Sequence, residues 1–331
     1  MALVVHPHFH RRYSGATRHV EAVVPPLTER VETRVIGRAL DPALPFIRWP
    51  ELLRRARREP VVWHAHRVKE LAIGLLLKLW GRKVRLAFTR HASTPPHWFT
   101  SLIASWADRA VALTPEIAAQ LPFSSTVVQH GVDLERFRPP PDRQLAYTAL
   151  GLGGRHGIGV IGRVRKEKGQ GDFVAALAPL LPRYSDWRAV LVGLAKNADR
   201  SWAEALRGQL HGALVLAGER TPIEPWYQGL TVLVHPSYTE GYSLVHVEAL
   251  ASGCCVVSSR LPYVETLIEH GRTGFLYEIG NVAQLREILE VLLREPERAL
   301  EVGRNAAEHA RRHCGIEQEA ASLYRLYREW L

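Results

Sequence analysis

Two carboxylates stand eight positions apart between two short apolar runs in the second half of the chain. They are Glu240 and Glu248, within the segment HPSYTEGYSLVHVEALASGCCVVSS of residues 235–259. Carboxylates accept hydrogen bonds from hydroxyl groups, and the free N–H groups at the start of a helix bind phosphate. The segment therefore predicts a site in which both glutamates face one ligand that carries sugar hydroxyls and phosphate.

The elements around these carboxylates follow from the same segment. The apolar run TVLVHP predicts a buried strand, Gly241 allows a tight turn, and Ser243 is a candidate N-cap of a helix that Gly253 ends. Glu240 then lies in the loop after the strand, and Glu248 lies more than one turn into the helix. Alternatively, one glutamate is an ordinary helix-surface residue, although the apolar character of this helix argues against that.

A basic loop precedes a second predicted helix. The segment GRVRKEKGQGDF places four cations after an apolar run, with the helix expected to begin near Gln170; the cations are Arg163, Arg165, Lys166 and Lys168. Guanidinium and ammonium groups beside free helix N–H donors form a good site for a diphosphate. A solvated basic loop is the alternative interpretation.

A glycine motif just before this loop does not fit its usual context. Gly157, Gly159 and Gly162 spell GxGxxG, but a dinucleotide fingerprint needs its glycines in the turn after a strand. Here the glycines fall within the apolar run itself. We therefore interpret the motif as a coincidence of a glycine-rich strand.

Apolar runs with helical stretches between them recur along the whole chain. The first half contains ALVVHP, VVWHAH, RLAFTR, RAVALT and STVVQH, and the second half contains GIGVIG, AVLVGL, ALVLAG, TVLVHP and CCVVSS. Continuous runs are typical of strands covered on both faces, so the sequence predicts an α/β fold with two parallel sheets. Consecutive prolines near residues 138–146 predict the connector between two domains, and the residues after Cys314 predict an amphipathic helix. Two such sheets facing each other would form a ligand-binding cleft at the carboxyl ends of their strands.

Length and composition limit the class of protein. The chain has 331 residues, of which 47% are hydrophobic and 23% charged, and this suits two globular domains. No apolar run approaches the roughly 20 residues of a membrane-spanning helix, and the N-terminus lacks a signal-peptide pattern, so we expect a cytoplasmic protein. Three cysteines without paired spacing predict neither disulfides nor a structural metal.

The net charge of +10 arises entirely in the first part of the chain. Residues 1–145 contain 22 Lys and Arg against 12 Asp and Glu, whereas the remaining residues contain 21 of each class. Such asymmetry indicates an anionic partner, either nucleic acid or an acidic membrane surface. A solubilising basic face is the alternative interpretation.

Several of these motifs together resemble one enzyme family. The segments TEGYSLVHVEALASG, GRVRKEKG and QHGVDLERFRPP look like those of the family-4 retaining glycosyltransferases of the GT-B fold, over nearly the whole chain. The resemblance implies two facing Rossmann-like domains. Residues 1–145 would form the acceptor-side domain, with a last helix at 316–331 packing back on it, and residues 146–315 would hold the nucleotide-sugar donor.

The resemblance also assigns roles to the predicted site. Arg163 and Lys168 match the pair that binds the donor diphosphate, Glu240 matches the acidic residue near the transferred sugar, and Glu248 matches the residue that binds the ribose hydroxyls. Two cations and helix N-termini stabilise a departing diphosphate without a metal ion. The chain has no DxD triplet to hold a divalent ion, so we expect neither metal nor cofactor.

Further donor-binding positions come from two loops. One loop contributes Gly241, Tyr242, Ser243 and Leu244, and the family commonly has glycine at the position of Ser243, so sugar selectivity does not carry over directly. The other loop, RRYSGATRHV after the first predicted strand, contains Gly15, which matches the family's glycine loop at the cleft.

Histidines are frequent near the predicted strand ends of the first half. They are His64, His66, His91 and His97. We select His91, in FTRHAS just past a strand, as the residue that contacts the donor sugar or handles the acceptor proton. His97 is the rival, and any one of the four is equally well explained as a hydrogen-bonded structural histidine.

A narrower resemblance suggests the substrates. HFHRRYSGAT, VVWHAHRVKELAIG and VVQHGVDLERFRPP are similar to lipopolysaccharide-core mannosyltransferases of Gram-negative bacteria. This implies GDP-mannose as the donor and a Kdo residue on lipid A as the anionic acceptor. The protein is then expected at the cytoplasmic face of the inner membrane, bound to its anionic surface, without nucleic acid as a partner.

Cations and apolar residues of the first half would make this peripheral attachment. The expected cations are Arg54, Arg55, Arg57, Arg58, Arg82, Lys83 and Arg85, and the expected shallow anchors are Leu52, Leu53, Trp80 and Trp98. Three other interpretations stay open: a UDP-glucose or UDP-GlcNAc donor on the same scaffold, a non-enzymatic nucleic-acid-binding protein, and an NAD-dependent dehydrogenase that uses the GxGxxG string.

Overall fold

The computed structural model describes residues 2–11, 14–81, 83–92, 94–121 and 123–331. The chain divides into two compact units. Unit 1 comprises residues 1–131 and 315–331, and unit 2 comprises residues 132–314.

Unit 1 contains a parallel sheet of six strands among its described residues, in the order β2-β1-β3-β4-β5-β6. Its strands are β1 (Leu3–His8), β2 (Thr33–Gly37), β3 (Val61–Ala65), β4 (Val84–Arg90), β5 (Arg109–Ala112) and β6 (Ser125–Val127). Its helices are α1 (Gly15–Thr28), α2 (Trp49–Arg58), α3 (Val68–Trp80), α4 (Trp98–Ala104), α5 (Pro115–Ala119) and, after the chain has passed through unit 2, α13 (Ile316–Arg328).

Unit 2 contains a second parallel six-stranded sheet, in the order β12-β11-β10-β7-β8-β9. Its strands are β7 (His156–Ile161), β8 (Trp187–Val192), β9 (Leu214–Gly218), β10 (Val232–His235), β11 (Cys255–Ser259) and β12 (Phe275–Tyr277). Its helices are α6 (Arg143–Thr148), α7 (Gln170–Leu177), α8 (Asn197–Gln209), α9 (Glu224–Gly229), α10 (Leu244–Ala251), α11 (Val282–Arg294) and α12 (Pro296–His313).

The parallel sheets confirm the fold class expected from the continuous apolar runs. Each of the ten runs contains a strand of the structure, and the central strands β1, β3, β7, β10 and β11 are buried almost throughout. Side chains from both faces of these strands pack against helices, so there is no polar face to produce an alternating pattern. Gly157 and Gly159 lie within β7, as expected, and Gly162 follows it directly.

The sequence did not reveal β2 and β12, the strands TRVIG and FLY. Both lie at an edge of their sheet. An edge strand pairs on one side only, so a short or partly polar segment suffices there and leaves little apolar signal.

The first break between the units lies before the proline connector, earlier than residue 145. The break lies earlier because Arg143 binds the proline connector to the rest of unit 2. Its guanidinium donates to the carbonyl oxygens of Leu230 at 2.6 Å, Ser252 at 2.7 Å and Gly253 at 2.9 Å. Pro139 also approaches the backbone at Gly253. The three prolines are therefore part of unit 2.

The last helix returns to unit 1, where it packs against α1. The apolar face of the predicted amphipathic helix is buried at Leu323, Leu326 and Tyr327. Glu319 is buried on the same helix, although a carboxylate there was not predicted to be inside. Its Oε2 atom accepts a hydrogen bond from the Gly131 backbone N–H at 2.7 Å, and its Oε1 atom bonds to two histidines that are described below.

Candidate functional site

A pocket of about 260 Å³ lies in unit 2, beyond the carboxyl ends of β7 and β10. These two strands are neighbours in the sheet, with β8 on one side of β7 and β10 on the other. Strand order reverses at this point, and open parallel sheets bind ligands in the crevice there. The residues around the pocket include Gly162, Arg163, Arg165, Lys168, Gln170, His235 and Ser243.

The basic loop after β7 supplies the cations of this pocket. Lys166–Lys168 form one turn of 3₁₀ helix, and α7 begins at Gln170 as the sequence predicts. The Gln170 amide is buried and donates to the Arg163 carbonyl oxygen at 3.0 Å, which fixes the shape of the loop. Arg163 and Lys168 line the pocket, whereas Lys166 is exposed and is not among its lining residues.

Gly169 is required by the approach of this loop to the next strand. Its φ is +69°, a conformation that side chains disfavour. A Cβ at this position would lie 1.9 Å from the carbonyl oxygen of Pro236, just after β10. The glycine therefore lets the two loops of the pocket meet.

Glu240 lies beside this pocket, held by groups from both loops. Its Oε1 atom accepts a hydrogen bond from Lys168 Nζ, which forms an ion pair with it. The hydroxyl of Ser237 donates to the same oxygen at 2.9 Å, and His235 Nε2 lies 3.5 Å from it. The structure thus brings together a cation and a carboxylate that the sequence placed 72 residues apart.

Ser243 occupies the N-cap position of α10, as predicted, but its side chain makes no capping bond. The Ser243 hydroxyl instead bonds to His235 Nε2 at 3.2 Å, and its backbone N–H donates to the Tyr263 hydroxyl at 3.0 Å. Burial, with a smaller contribution from Lys168, lowers the pKa of His235 to about 3. A neutral imidazole therefore lies at the wall of the pocket.

Sequence reasoning missed the polar residues behind this loop. His246 bonds through Nδ1 to the Tyr263 hydroxyl at 3.0 Å and through Nε2 to the Ser258 hydroxyl at 2.9 Å. The Tyr242 ring packs against Tyr263, with 5.1 Å between ring centroids. The one sequence feature that could have indicated these polar residues was His235, a histidine at the carboxyl end of a predicted strand.

Glu248 lies in a different environment from Glu240. Its side chain is buried on α10, and its Oε2 accepts a hydrogen bond from the Tyr227 hydroxyl at 2.7 Å. Glu248 is not among the described residues that line the pocket. Gly241, Tyr242 and Leu244 are half-buried between the two glutamates along the chain.

Comparison with known proteins identifies the class of enzyme. The family described as Glycosyl transferases group 1 matches residues 155–295, which contain the whole pocket. The lipopolysaccharide core biosynthesis mannosyltransferase LpcC of Rhizobium leguminosarum bv. viciae is 33% identical over 99% of this chain and 96% of that protein. The chain belongs to the group 1 glycosyltransferases.

A second relative agrees with this assignment, and one solved structure shows the fold. The glycosyltransferase is 30% identical to the lipopolysaccharide core biosynthesis mannosyltransferase LpsB of Rhizobium meliloti (strain 1021), over 98% of this chain and 96% of that protein. The crystal structure of Anabaena Alr3699/HepE in complex with UDP and glucose superimposes with a TM-score of 0.84 at 18% identity, covering 99% of both chains. This likeness shows that the glycosyltransferase has the GT-B fold.

The glycine predicted to face a ligand in unit 1 begins α1. A Cβ at Gly15 would meet nothing within 4 Å, so no packing contact of the described residues requires glycine there. Arg67 Nη2 donates to the hydroxyl of the preceding Ser14 at 2.9 Å. The N-terminus of α1 is therefore open on the side where a side chain at Gly15 would stand.

The candidate histidines of this glycosyltransferase differ in environment. His64 and His66 are buried and His91 is half-buried just past β4, whereas His97 is exposed at the N-cap of α4. Both ring nitrogens of His91 are hydrogen-bonded, Nε2 to His66 Nδ1 and Nδ1 to His130 Nε2, each at 3.2 Å. Burial and the neighbouring imidazoles hold the pKa of His91 well below its usual value. His91 must therefore release one of these bonds before it can accept a proton from a substrate.

Part of the predicted cationic surface is used within unit 1. Arg55 donates to Glu32 through both terminal nitrogens at 2.7 Å and also pairs with Glu59, so the expectation that it is free to bind lipid was wrong. Leu52 is fully buried and is no membrane anchor either. Arg54, Arg57 and Arg58 are exposed, and Arg82 lies outside the described residues.

An exposed apolar surface lies on α3, α4 and the turn after α4. Helices α3 and α4 are in contact, and Trp80 and Trp98 are exposed as predicted. We call this surface the α3–α4 patch; it comprises Leu76, Leu79, Trp80, Trp98, Phe99, Leu102 and Trp106. The guanidinium of Arg57 lies 3.9 Å from the centroid of the Trp80 ring, which joins the patch to the basic residues of α2. Among the helices of the described residues, none has the length and apolar character needed to cross a bilayer.

Proposed function

We propose that this glycosyltransferase transfers mannose from GDP-mannose to an anionic inner-core sugar of lipopolysaccharide, the Kdo residue of a lipid A precursor. The observation that carries this proposal is the likeness to two lipopolysaccharide core mannosyltransferases over nearly the full length of all three chains. The pocket of unit 2 agrees with it, because cations and helix N-termini meet there around a space that suits a diphosphate.

In the proposed reaction the diphosphate is the leaving group. Arg163 and Lys168 and the N-termini of α7 and α10 stabilise the negative charge that develops as the sugar–phosphate bond breaks. This set of groups does not require a divalent ion at the diphosphate. Glu240 would orient the sugar, and the acceptor hydroxyl would attack on the face that retains the configuration.

Glu248 would bind the ribose hydroxyls of the donor. It now accepts a hydrogen bond from Tyr227, so nucleotide binding must either add to this bond or replace it. A carboxylate offers about four acceptor positions, so ribose hydroxyls can bind to Glu248 beside or in place of its present partners. In this proposal the two glutamates contact different parts of the donor: Glu240 contacts the sugar, and Glu248 contacts the nucleoside.

A UDP-sugar donor is the second candidate. It is favoured by the HepE structure, which contains UDP and glucose. At 18% identity that likeness concerns the fold alone, so it supports UDP less strongly than the mannosyltransferase relatives support GDP-mannose.

The proposed acceptor requires contact with a membrane surface. The α3–α4 patch and the exposed arginines of α2 would bind the anionic cytoplasmic leaflet of the inner membrane, with indole rings at the headgroup boundary. This attachment would be peripheral and reversible. It explains the excess of positive charge in residues 1–145 without nucleic acid as a partner.

A thermal-shift screen of GDP, UDP and ADP tests the donor. A nucleotide at a hundred times its dissociation constant stabilises its protein by about 2.7 kcal/mol, so the preferred base should stand out clearly. We expect GDP to give the largest shift and GDP-mannose with a Kdo-lipid A acceptor to give an α-mannosylated product. A larger shift with UDP would favour a UDP-sugar as the donor. Binding of NAD but of no nucleoside diphosphate would contradict both the GDP-mannose and the UDP-sugar proposals.

A further inference from the structure

A cluster of buried imidazoles lies at the carboxyl ends of the unit 1 strands. We call it the histidine cluster; it comprises His6, His19, His64, His66, His91, His130 and Glu319. Its members come from β1, α1, β3, the ends of β3 and β4, the segment after β6, and α13. Of these residues, only His91 has been given a role in the proposed glycosyl transfer, and none of them lines the pocket in unit 2.

Three groups within the cluster bring possible metal ligands within 4.8 Å of one another: His6 with His64 and His66, His19 with His130 and Glu319, and His19 with His66 and His91. The first group lacks a third ligand, because both nitrogens of His64 are already bonded, to the Tyr327 hydroxyl and to Thr89 Oγ1.

The second group is held by hydrogen bonds. Its His19 Nε2 lies 2.6 Å from Glu319 Oε1. Two ligand atoms on one tetrahedral zinc ion lie roughly 3.3 Å apart, as follows from zinc–ligand distances of about 2.0–2.1 Å. The shorter separation is that of a hydrogen bond to a carboxylate.

The third group has the spacing of ligands around a single ion. The ring centroids of His19, His66 and His91 are 5.2, 5.4 and 5.7 Å apart in pairs. A tetrahedral ion that binds one nitrogen of each ring would place these centroids roughly 5 Å apart. His66 Nδ1 and His91 Nε2, the two nitrogens that face each other, are 3.2 Å apart.

If the ion binds His19 Nδ1, His66 Nδ1 and His91 Nε2, the second ring nitrogen of each histidine already has the partner that a metal-bound histidine requires. A ligating histidine usually donates its second N–H to a carboxylate or another acceptor. His19 Nε2 meets Glu319, His91 Nδ1 meets His130 Nε2, and His66 Nε2 meets His6 Nδ1. Glu319 Oε1 also accepts from His130 Nδ1 at 3.0 Å, so one carboxylate orients both sides of the group.

One buried nitrogen in this group has no other use among the described residues. His19 is buried, and its Nδ1 atom has no hydrogen-bond partner in the part of the chain that the structure describes. Leaving a buried polar atom unpaired costs about 1–3 kcal/mol. A metal ion bound to Nδ1 would remove that cost.

We propose that His19 Nδ1, His66 Nδ1 and His91 Nε2 bind one divalent transition-metal ion, of which Zn²⁺ has the best-matched coordination. The half-buried position of His91 leaves a fourth ligand position for water or a substrate oxygen. The ion replaces the proton that His66 and His91 otherwise share. It joins α1 and the ends of β3 and β4, and through Glu319 it ties α13 to them.

Titration with Co²⁺ tests this site directly. Untagged protein is freed of metal with a chelator, and Co²⁺ is added while visible absorption is recorded. We expect one equivalent to give the intense bands of tetrahedral Co²⁺, and Zn²⁺ to abolish them by competition. Weak octahedral absorption only, or no saturation at one equivalent, would overturn the proposal without any variant.

Substitutions identify the ligands. His19→Gln and His66→Gln should lower Co²⁺ affinity at least tenfold, and Glu319→Gln, which removes an orienting carboxylate, should weaken it about 10- to 100-fold. The control is His309→Gln with His313→Gln, which removes an imidazole pair on α12 with ring centroids 4.9 Å apart. Equal affinity of His19→Gln and the wild type would refute the site.

Folding of each variant is checked by its circular dichroism and by nucleotide binding to unit 2. If His19→Gln fails to fold, His91→Gln takes its place, since His91 is only half-buried. Loss of the tetrahedral bands in a folded His91→Gln protein supports the site. Their persistence contradicts it.

Discussion

At the scale of single residues, the paired charges of Lys168 and Glu240 are central to the proposed donor site. The Lys168 ammonium reaches the Glu240 carboxylate from the opposite loop of the pocket, while Arg163 lines the same space. A departing diphosphate would compete with Glu240 for the ammonium. The lysine would then move from a carboxylate to a phosphate as the bond to the sugar breaks.

The first prediction concerns this cation. Lys168→Ala should lower turnover roughly a hundredfold, because a lost contact to a developing charge costs on the order of 3 kcal/mol. Steady-state kinetics with the preferred nucleotide-sugar measure the loss. Lys166→Ala, an exposed change two positions away, is the matched control and should keep wild-type turnover. Full activity of Lys168→Ala would remove this residue from the site.

The second prediction separates the two glutamates. Glu248→Gln should weaken binding of the free nucleoside diphosphate, because an amide binds ribose hydroxyls less strongly than a carboxylate does. Glu240→Gln should keep nucleotide affinity and lower sugar transfer. Calorimetric titration with nucleotide and turnover measurements distinguish the two effects.

Tyr227→Phe is the control for Glu248, since it removes the hydroxyl that now bonds to this carboxylate but leaves the carboxylate itself. The variant should bind nucleotide at least as well as the wild type. Equal losses of nucleotide affinity in Glu240→Gln and Glu248→Gln would contradict the assigned roles.

At the scale of elements, α3 and α4 carry apolar side chains that a globular surface does not need. Leu79 is 86% exposed and Trp98 is 69% exposed, on two helices in contact with each other. The apolar interior of unit 1 lies on the other face of α3, which buries Leu71 and Leu77. The helix is therefore apolar on two faces, and only one of them packs against the sheet.

The third prediction uses this patch. Wild-type protein should sediment with vesicles that contain phosphatidylglycerol but not with neutral vesicles, and less so at high salt, because surface charge is screened. Leu79→Glu with Trp98→Glu should abolish sedimentation. Leu145→Glu changes another exposed leucine, on α6 of unit 2, and should have no effect.

The exposed arginines test the electrostatic part of the same attachment. Arg54→Glu with Arg58→Glu should reduce vesicle binding, since each cation near an anionic surface contributes about 1 kcal/mol. Nucleotide affinity, a property of unit 2, should stay unchanged. A wild-type protein that ignores anionic vesicles at low salt would show that the membrane proposal is wrong.

At the scale of the whole molecule, stability should depend on pH through buried imidazoles. Burial lowers the pKa of His235 to about 3 and that of His246 well below 6.5. The charged groups nearest them are Lys168 and Glu240. Below pH 6.5 the unfolded chain binds protons that the folded chain does not, so the free energy of unfolding decreases as pH falls.

The fourth prediction follows from that sign. Between pH 6 and pH 4 each such histidine should lower the free energy of unfolding by about 1.4 kcal/mol per pH unit. His246→Gln should make the pH dependence shallower, which urea unfolding at a series of pH values measures. His313→Gln replaces an exposed histidine and should leave the slope unchanged. A steeper slope in His246→Gln would contradict this account.

The sequence by itself determined the fold class and the local parts of the pocket proposed as the donor site. Ten apolar runs predicted strands, Gln170 was expected near a helix start, and Arg163 and Lys168 were placed in the loop before it. These inferences succeed because they depend on neighbours along the chain: an apolar run buries itself, and a loop after a parallel strand lies at the ligand-binding edge. Of the four edge strands, β6 and β9 were predicted and β2 and β12 were missed, because one-sided pairing allows a strand with little apolar sequence.

The tertiary structure alone decided which distant groups meet. Lys168 contacts Glu240, Tyr227 bonds to Glu248, and Arg143 binds the proline segment to unit 2. The histidine cluster depends most on the fold, because its members are spread from His6 to Glu319 and no spacing along the chain connects them. The spacing of the cysteines predicted no structural metal. The ligands of the metal site proposed above come from separate strands and helices, so they would leave no regular spacing in the sequence. Their proximity arises only when parallel strands align their carboxyl ends and the last helix returns to cover them.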